Sequence, residues 1–367
     1  MARFTATREA VHGEFETQRD YGLPVVIVRV LRNPVEKSSL MIKYLAKKVL
    51  TWLLVIFLAT NLTYFLASLF LDPRSNYVGR RPPLSPEEVN RQLAAHNLSP
   101  ETPLLERWWN WLCGILFHWD WGESPVGVPV NSEIGYRIWV SAELLLLATI
   151  ISVILGVAVG VYTASRQYKI GDRIWQGISI ITMNVHVVVA SLVVVALALK
   201  INEKAGKRVF FVTGASDPDV HGFFPKLIDT LQHLALPTIS LVIITYAGYH
   251  MMQRSLLLDN LGADYVRTAR AKGLTRGQAI RKHALRTSII PVATSVAFSV
   301  PGIFTGAVMT ERIFAWRGMG QYFLETISKN DVHGAVAVAA FGALMVAVSA
   351  ILADLVVVAL DPRVRVS

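Results

Sequence analysis

Leu50–Leu71 reads LTWLLVIFLATNLTYFLASLFL, with no charged side chain along it. A helix needs about 20 apolar residues to cross the roughly 30 Å of bilayer hydrocarbon. This run is long enough, and its few polar groups (Thr51, Thr60, Asn61, Thr63, Ser68) can be met within a helix bundle. Five further runs read the same way: Val140–Ala164, Arg173–Leu199, Leu234–Met252, Ile289–Val308 and Ala335–Leu360. The third is weakest at its start, where Asn184 and His186 interrupt it. The spacing therefore predicts an all-α membrane protein with six transmembrane helices.

Composition agrees. Of 367 residues, 53% are hydrophobic and 17% charged, against about 25% charged in an ordinary soluble domain. The mean hydropathy is +0.44. These values exclude a soluble enzyme and a disordered chain. A single cysteine, Cys113, excludes a disulfide framework and a cysteine-rich metal site.

The net charge of +10 suits either nucleic-acid binding or membrane topology, and its distribution decides. With the N-terminus in the cytoplasm, 22 Lys and Arg fall on inner segments against 14 on outer ones. Acidic residues show the opposite bias. That is the positive-inside pattern, with both termini cytoplasmic, and no nucleic-acid partner is expected. Leu23–Val30 is too short for a signal-peptide core and lacks a small-residue cleavage site. The first span then serves as an uncleaved anchor.

Residues 1–40 read as a cytoplasmic extension, 41–71 as the first transmembrane helix, and 72–136 as an extracytoplasmic loop with interfacial helices. In that loop Ser85 can cap a helix beginning at Pro86, with Glu88 closing a capping box. Trp108, Trp109, Trp111, Trp119 and Trp121 cluster further on. Aromatic belts mark membrane–water interfaces, so a helix lying flat at the outer surface is expected. The other reading is a docking surface for an external partner or a lid over a pathway.

Catalytic signatures are missing: there is no His-Glu-x-x-His, no Gly-x-Ser-x-Gly and no Cys-x-x-Cys, and Gly206-Lys207 lacks phosphate-loop spacing. Glu143 sits near the outer end of the second span, within reach of water. Asp354 lies near the inner end of the sixth, where it can pair with a Lys or Arg. His186 and His250 suit hydrogen bonds between helices. Gly156-x-x-x-Gly160 presents a small-residue face for close packing. Pro237 and Pro301-Gly302 predict kinks.

The most informative stretch is the inner loop Arg254–Ser288. Asp264 can cap a short helix over Tyr265–Lys272, with Arg270 and Lys272 in the last turn, where cations suit the helix dipole. Gly273 falls where a left-handed residue ends such a helix. Thr275 and Gln278 have capping-box spacing and start a second helix leading to Pro291. Two capped helices make this a rigid basic peg, or else a hairpin resting on lipid headgroups.

Asp264-Tyr-Val-Arg-Thr-Ala-Arg-Ala-Lys-Gly-Leu274, followed by Arg281-Lys-His-Ala-Leu-Arg286 and Ile289-Ile-Pro291, resembles the coupling loop of ATP-binding-cassette importer permeases. The dipeptide, oligopeptide and nickel branch matches best. Aligned on Gly273, Arg267 stands for the Glu of the Glu-Ala-Ala motif, Thr268 for its first Ala, and Ala269 keeps the second. Met41-Ile-Lys-Tyr-Leu-Ala-Lys-Lys and the ending Leu360-Asp-Pro-Arg363-Val-Arg365 resemble the two ends of such subunits.

The resemblance implies a type I permease fold with its core over 137–358 and a cytoplasmic tail over 359–367. It assigns ATPase coupling to Asp264, Tyr265, Arg267, Ala269, Arg270, Lys272, Gly273, Leu274, His283, Arg286 and Pro291. Partners would be a second homologous permease, two ATP-binding-cassette ATPase subunits, an extracytoplasmic solute-binding protein and membrane lipid. The chain would carry no cofactor, with ATP and Mg held by the ATPases. Peptides are the implied cargo, with nickel chelates, glutathione or another small solute as alternatives. A secondary carrier or a membrane enzyme would need an ion-binding or catalytic constellation.

Overall fold

A computed structural model describes residues 34–360 apart from Arg80, Pro218 and Gly306. Leu23–Val30 and the tail 361–367 lie outside the described residues. The chain divides into Met1–Ala46 and Lys47–Ser367. Within the first unit, the described part is the opening of helix α1.

The described residues are overwhelmingly helical, and one isolated antiparallel bridge pairs Glu123 with Pro129. In chain order the helices are α1 (Pro34–Phe70), α2 (Pro86–Ala95), α3 (Leu104–His118), α4 (Val130–Ser165), α5 (Ile170–Met183), α6 (Val187–Ala205) and α7 (Phe223–Leu261). They continue as α8 (Asp264–Ala271), α9 (Arg276–Ala279), α10 (Leu285–Phe298), α11 (Val300–Thr305), α12 (Val308–Ile313), α13 (Met319–Ser328) and α14 (Val332–Leu360). Among the described residues four apolar helices are long enough to cross a bilayer: Ala46–Phe70, Val130–Ser165, Phe223–Leu261 and Val332–Val357. Such a chain is a multi-pass membrane protein.

The third and fifth predicted spans are not single helices. Ile170–Met183 and Val187–Ala205 meet at 104°. His186 caps α6, its ring nitrogen accepting the Val188 N–H at 3.3 Å, so it serves the backbone locally rather than bridging helices. In the fifth, Arg276–Phe298 and Val300–Ile313 meet at 43°. The bend falls just before Pro301, which has no N–H to give and disfavours helical backbone at the residue before it. Pro237, by contrast, sits buried inside the unbroken α7.

Helices α4 and α7 form the centre. Built at Gly156, a Cβ would stand 2.5 Å from the Tyr249 Cβ and 2.7 Å from the Tyr246 carbonyl oxygen; at Gly160, 2.8 Å from the Gln253 Cβ. The small-residue face is thus where the two backbones touch, as the spacing predicts. Ser152 and Thr245 hydroxyls bond across the same seam at 2.6 Å. Asp354 of α14 pairs with Lys48 of α1, and Glu143 is exposed.

The elements between α1 and α4 correct two expectations. Ser85 accepts the Glu88 N–H at 3.2 Å, but the Glu88 side chain turns to Arg91 and Gln92 instead of closing the box. Helix α3 does not offer all its tryptophans to lipid. Trp111 is buried and stacks on Tyr64 of α1, ring centres 4.6 Å apart, while Trp108 donates to the Asn61 side chain at 2.6 Å. Leu105, Trp109, Leu116, Phe117 and Trp119 stay exposed. Composition announced an amphipathic helix; only the fold shows which face α1 takes. With lipid-attached quenchers in the outer leaflet, Trp109→Phe is expected to remove quenchable fluorescence and Trp111→Phe to leave it unchanged. The reverse pattern would exclude lipid from the exposed face.

Asp331 precedes α14 and is 4% exposed. It accepts the Gly334 N–H at 2.9 Å, yet burial pushes its carboxyl up to about 6. A folded-state value above the unfolded one means that the folded chain holds this proton more tightly. Its contribution is most favourable below the unfolded value of 3.8 and declines as pH rises towards 6. Asp331→Asn, which keeps the acceptor, is expected to flatten that decline and raise stability at pH 7 by roughly 1–3 kcal/mol. Melting curves at pH 4 and pH 7 test this; identical pH dependence in both proteins would refute it.

Candidate functional site

The C-terminal end of α7 passes through Gly262 into the peg. Ala263, with extended backbone, takes the capping position of α8, and Asp264 lies one residue inside. Burial sets this register: Val266 and Ala269 must both face inward. Asp264 therefore makes no side-chain cap, contrary to the sequence expectation. Its carboxylate lies 3.9 Å from the Arg267 guanidinium with both side chains largely exposed, a pair of little energetic weight. As a first-turn acid it still suits the helix dipole. The Tyr265 hydroxyl reaches back to the Asn260 side chain.

The other end of α8 closes as its glycine predicts. Helix geometry stops at Ala271, with Lys272 as the cap, and Gly273 has φ +92°. The Gly273 N–H bonds the Arg270 carbonyl at 3.0 Å, and the Leu274 N–H bonds the Ala269 carbonyl at 3.3 Å. Those two bonds are a Schellman motif, and Leu274 adds the apolar contact that accompanies it. One residue later Thr275 makes the full capping box. Its hydroxyl accepts the Gln278 backbone N–H at 3.4 Å, and its own N–H donates to the Gln278 side-chain oxygen Oε1 at 3.0 Å. A π turn over Ile280–Ala284 then carries the chain into α10, inside which Pro291 sits exposed.

One apolar cluster fixes the peg to the bundle: Val266, Ala269, Ala279, Ile280 and Ala284 pack with Leu257 of α7 and Ala164 of α4. Everything charged faces away. Arg267, Arg270, Lys272, Arg276, Arg281, Lys282 and Arg286 are exposed. Of the residues singled out by sequence, Ala269 and Leu274 are anchors and Gly273 is the turn. Asp264, Tyr265, Arg267, Arg270 and Lys272 are exposed on α8 and its cap, Arg286 is exposed at the start of α10, and His283 is half-buried. Pro291 stands further along α10. The arrangement is a basic knob on a short neck, anchored by its apolar side.

Behind the knob lies a polar layer that sequence reading largely missed. Arg254 of α7 grips the fully buried Asp172 of α5 with two bonds, Nε at 2.8 Å and Nη2 at 3.0 Å. Gln253 donates to Ser288 of α10 at 2.9 Å. His250, also fully buried, joins Ser179 of α5 at 2.7 Å and Thr163 of α4 at 3.1 Å, the interhelical role its position suggested. Asp172 and Arg254 are 82 residues apart, and no local pattern pairs them. Among the described residues no group of three His, Cys, Asp or Glu is placed to hold a metal.

Comparison with known proteins puts this geometry in context. Residues 156–366 match the family described as binding-protein-dependent transport system inner membrane component. The chain is 39% identical over 328 residues to the oligopeptide transport system permease protein OppB of Mycobacterium tuberculosis, covering 89% of this chain and all of that one. It is 31% identical over 311 residues to the dipeptide transport system permease protein DppB of Escherichia coli, covering 80% and 90%. The oligopeptide transport system permease protein AppB of Bacillus subtilis is 29% identical over 283 residues, covering 76% and 86%. With the peg, the glycine-ended helix and the apolar spans on one chain, the protein belongs to the binding-protein-dependent transport system inner membrane component family, a transport component rather than an enzyme.

Proposed function

We propose that this chain is one of two homologous permease subunits of an ATP-driven importer, taking di- or oligopeptides from an extracytoplasmic solute-binding protein. The observation that carries the reading is the peg: α8 and α9 are anchored by apolar side chains while their basic face points outward. A capped helix seated in a groove of a partner is an efficient way to pass on a displacement. Two ATPase subunits would supply that groove and hold ATP and Mg, and the chain itself would carry no cofactor.

In this reading the four long helices and the two bent pairs make six spans, with both termini cytoplasmic and 137–358 as the permease core. Closure of the ATPases would press on the peg and shift the exposure of a path between the two permeases. A nucleotide can drive that shift only by the difference in its interactions with the two states. Asp264, Tyr265, Arg267, Arg270, Lys272 and Arg286 would form the contact face, with Ala269, Gly273 and Leu274 holding its shape. His283 and Pro291 would pass the movement into α10. The peptide cargo is inferred from the names of the relatives, oligopeptide and dipeptide permeases.

Reconstitution of the whole complex in liposomes tests this. Uptake of a labelled tripeptide is expected to need ATP and the binding protein. Uptake of a nickel chelate or glutathione with no peptide uptake would move the cargo to that class. ATP-independent uptake by the permease alone would make it a secondary carrier and overturn the importer reading.

A further inference from the structure

The geometry points to Asp172 as a positioning residue for coupling: through Arg254 it fastens α5 to the stretch of α7 that carries the peg. This inference rests on the importer reading above. Helix α5 has 14 residues and so is about 21 Å long, too short to cross a bilayer alone. It turns through 104° into α6. Nothing in the backbone therefore obliges α5 to move with the peg.

Side chains supply the tie. Asp172 is fully buried and receives four donors: Arg254 Nε and Nη2, the Tyr168 N–H at 2.9 Å and the Gln176 amide at 2.7 Å. A buried ion pair of this kind is poor evidence for stability, because removing two charges from water offsets most of their attraction. What the bidentate fork does supply is geometry, since both bonds form at only one relative placement of the two groups. A second contact on the same two helices, Ser179 with His250, sits further along. Two attachment points on a rigid helix fix its direction as well as its position.

The lever is short and stiff. From Arg254, α7 continues unbroken to Leu261 and reaches Asp264 through only Gly262 and Ala263. A push on α8 is thus delivered to Arg254 and from there to α5 and the α5–α6 elbow. Gln253 and His250 extend the same layer to Ser288 of α10 and Thr163 of α4, so three helices, α4, α5 and α10, meet the lever at one level. Without the fork, α8 could still bind its partner and α7 could still move, but α5 would follow only through apolar packing.

The test uses the purified complex with its ATPases and binding protein. Asp172→Asn keeps the shape and one acceptor oxygen, hence two of the four contacts, and removes the charge and the two-bond fork. It is expected to retain the ATPases and unstimulated hydrolysis, while stimulation by loaded binding protein falls about tenfold, within the usual range of coupling energies. Arg254→Lys keeps the charge without the fork and should fall between the two. Nitroxide labels at Thr268→Cys and Ile181→Cys, in a Cys113→Ser background, read the geometry directly. The wild-type distance distribution should be the same with and without trapped nucleotide, and that of Asp172→Asn should broaden in the trapped state. Full stimulation in Asp172→Asn would overturn the proposal, as would loss of the ATPases from that variant or equal distance distributions in the two proteins. Wild-type complex that shows no stimulation at all would instead remove the importer reading on which it rests.

Discussion

Gly273→Val should leave the permease inserted in the membrane and deprive it of coupling to its ATPases. The left-handed backbone at Gly273, φ +92°, is the conformation that lets the Gly273 and Leu274 N–H groups close the end of α8 on Arg270 and Ala269. Space is not the obstacle, because a Cβ there would meet nothing within 4 Å. Backbone strain is, at about 1–3 kcal/mol for a residue forced into such a region and most for a β-branched one. α8 is only eight residues long, so a cost of that size is enough to unwind its last turn and release Leu274 from the apolar cluster. The exposed arginines would then lie on a disordered end rather than on a fixed face. The spans and their flanking charges are untouched. ATPase retention, or stimulation by loaded binding protein, should fall at least tenfold on the scale of an allosteric coupling. Gly277→Ala is the matched control: it lies in α9 with ordinary backbone and open space around it, where alanine is favoured. Coupling that survives in Gly273→Val would refute the peg, and an equal loss in both variants would show general fragility of the loop instead.

That turn was legible in the sequence because its chemistry is local. A glycine after a run of helix formers, then Thr-x-x-Gln, can each be recognised within four residues, and both form as expected. α1, α4, α7 and α14 were legible for a similar reason, since their apolar length has no other use. The failures share a cause as well. Asn184-Val-His186 signals an interruption, but nothing in three residues encodes a turn of 104°; α5 and α6 both pack on α7, far along the chain. Asp264 is as good a cap as any by residue type, yet it lost the position to Ala263 because Val266 and Ala269 decide the register. The Trp108–Trp121 cluster shows amphipathic character without showing that Tyr64 claims one of its faces. Asp172 was invisible because its role exists only once Arg254, 82 residues on, is folded beside it. Sequence reading thus reached the exposed basic face of the peg and missed the polar layer behind it.

Gly156→Leu is expected to be strongly destabilising to the bundle. Even a Cβ at this position would stand 2.7 Å from the Tyr246 carbonyl oxygen and 3.0 Å from the His250 nitrogen, and those are backbone atoms that no rotamer change can move aside. Leucine adds three more carbons directed at the same seam. The two helices must separate, which breaks the Ser152–Thr245 bond and loosens His250, buried one turn away between Ser179 and Thr163. Overpacking of a tight core costs about 1–3 kcal/mol; adding stranded buried polar groups at about 1–3 kcal/mol each takes the sum towards 5 kcal/mol. Gly135→Ala in the same helix, where a Cβ would meet nothing within 4 Å, should be neutral or stabilising by up to about 1 kcal/mol, since alanine restricts the unfolded chain. Thermal unfolding of the two variants in one detergent decides the matter. A Gly156→Leu protein as stable as Gly135→Ala would mean that α4 and α7 do not touch at this seam, and the polar layer built on α7 would then lose its fixed partner on α4.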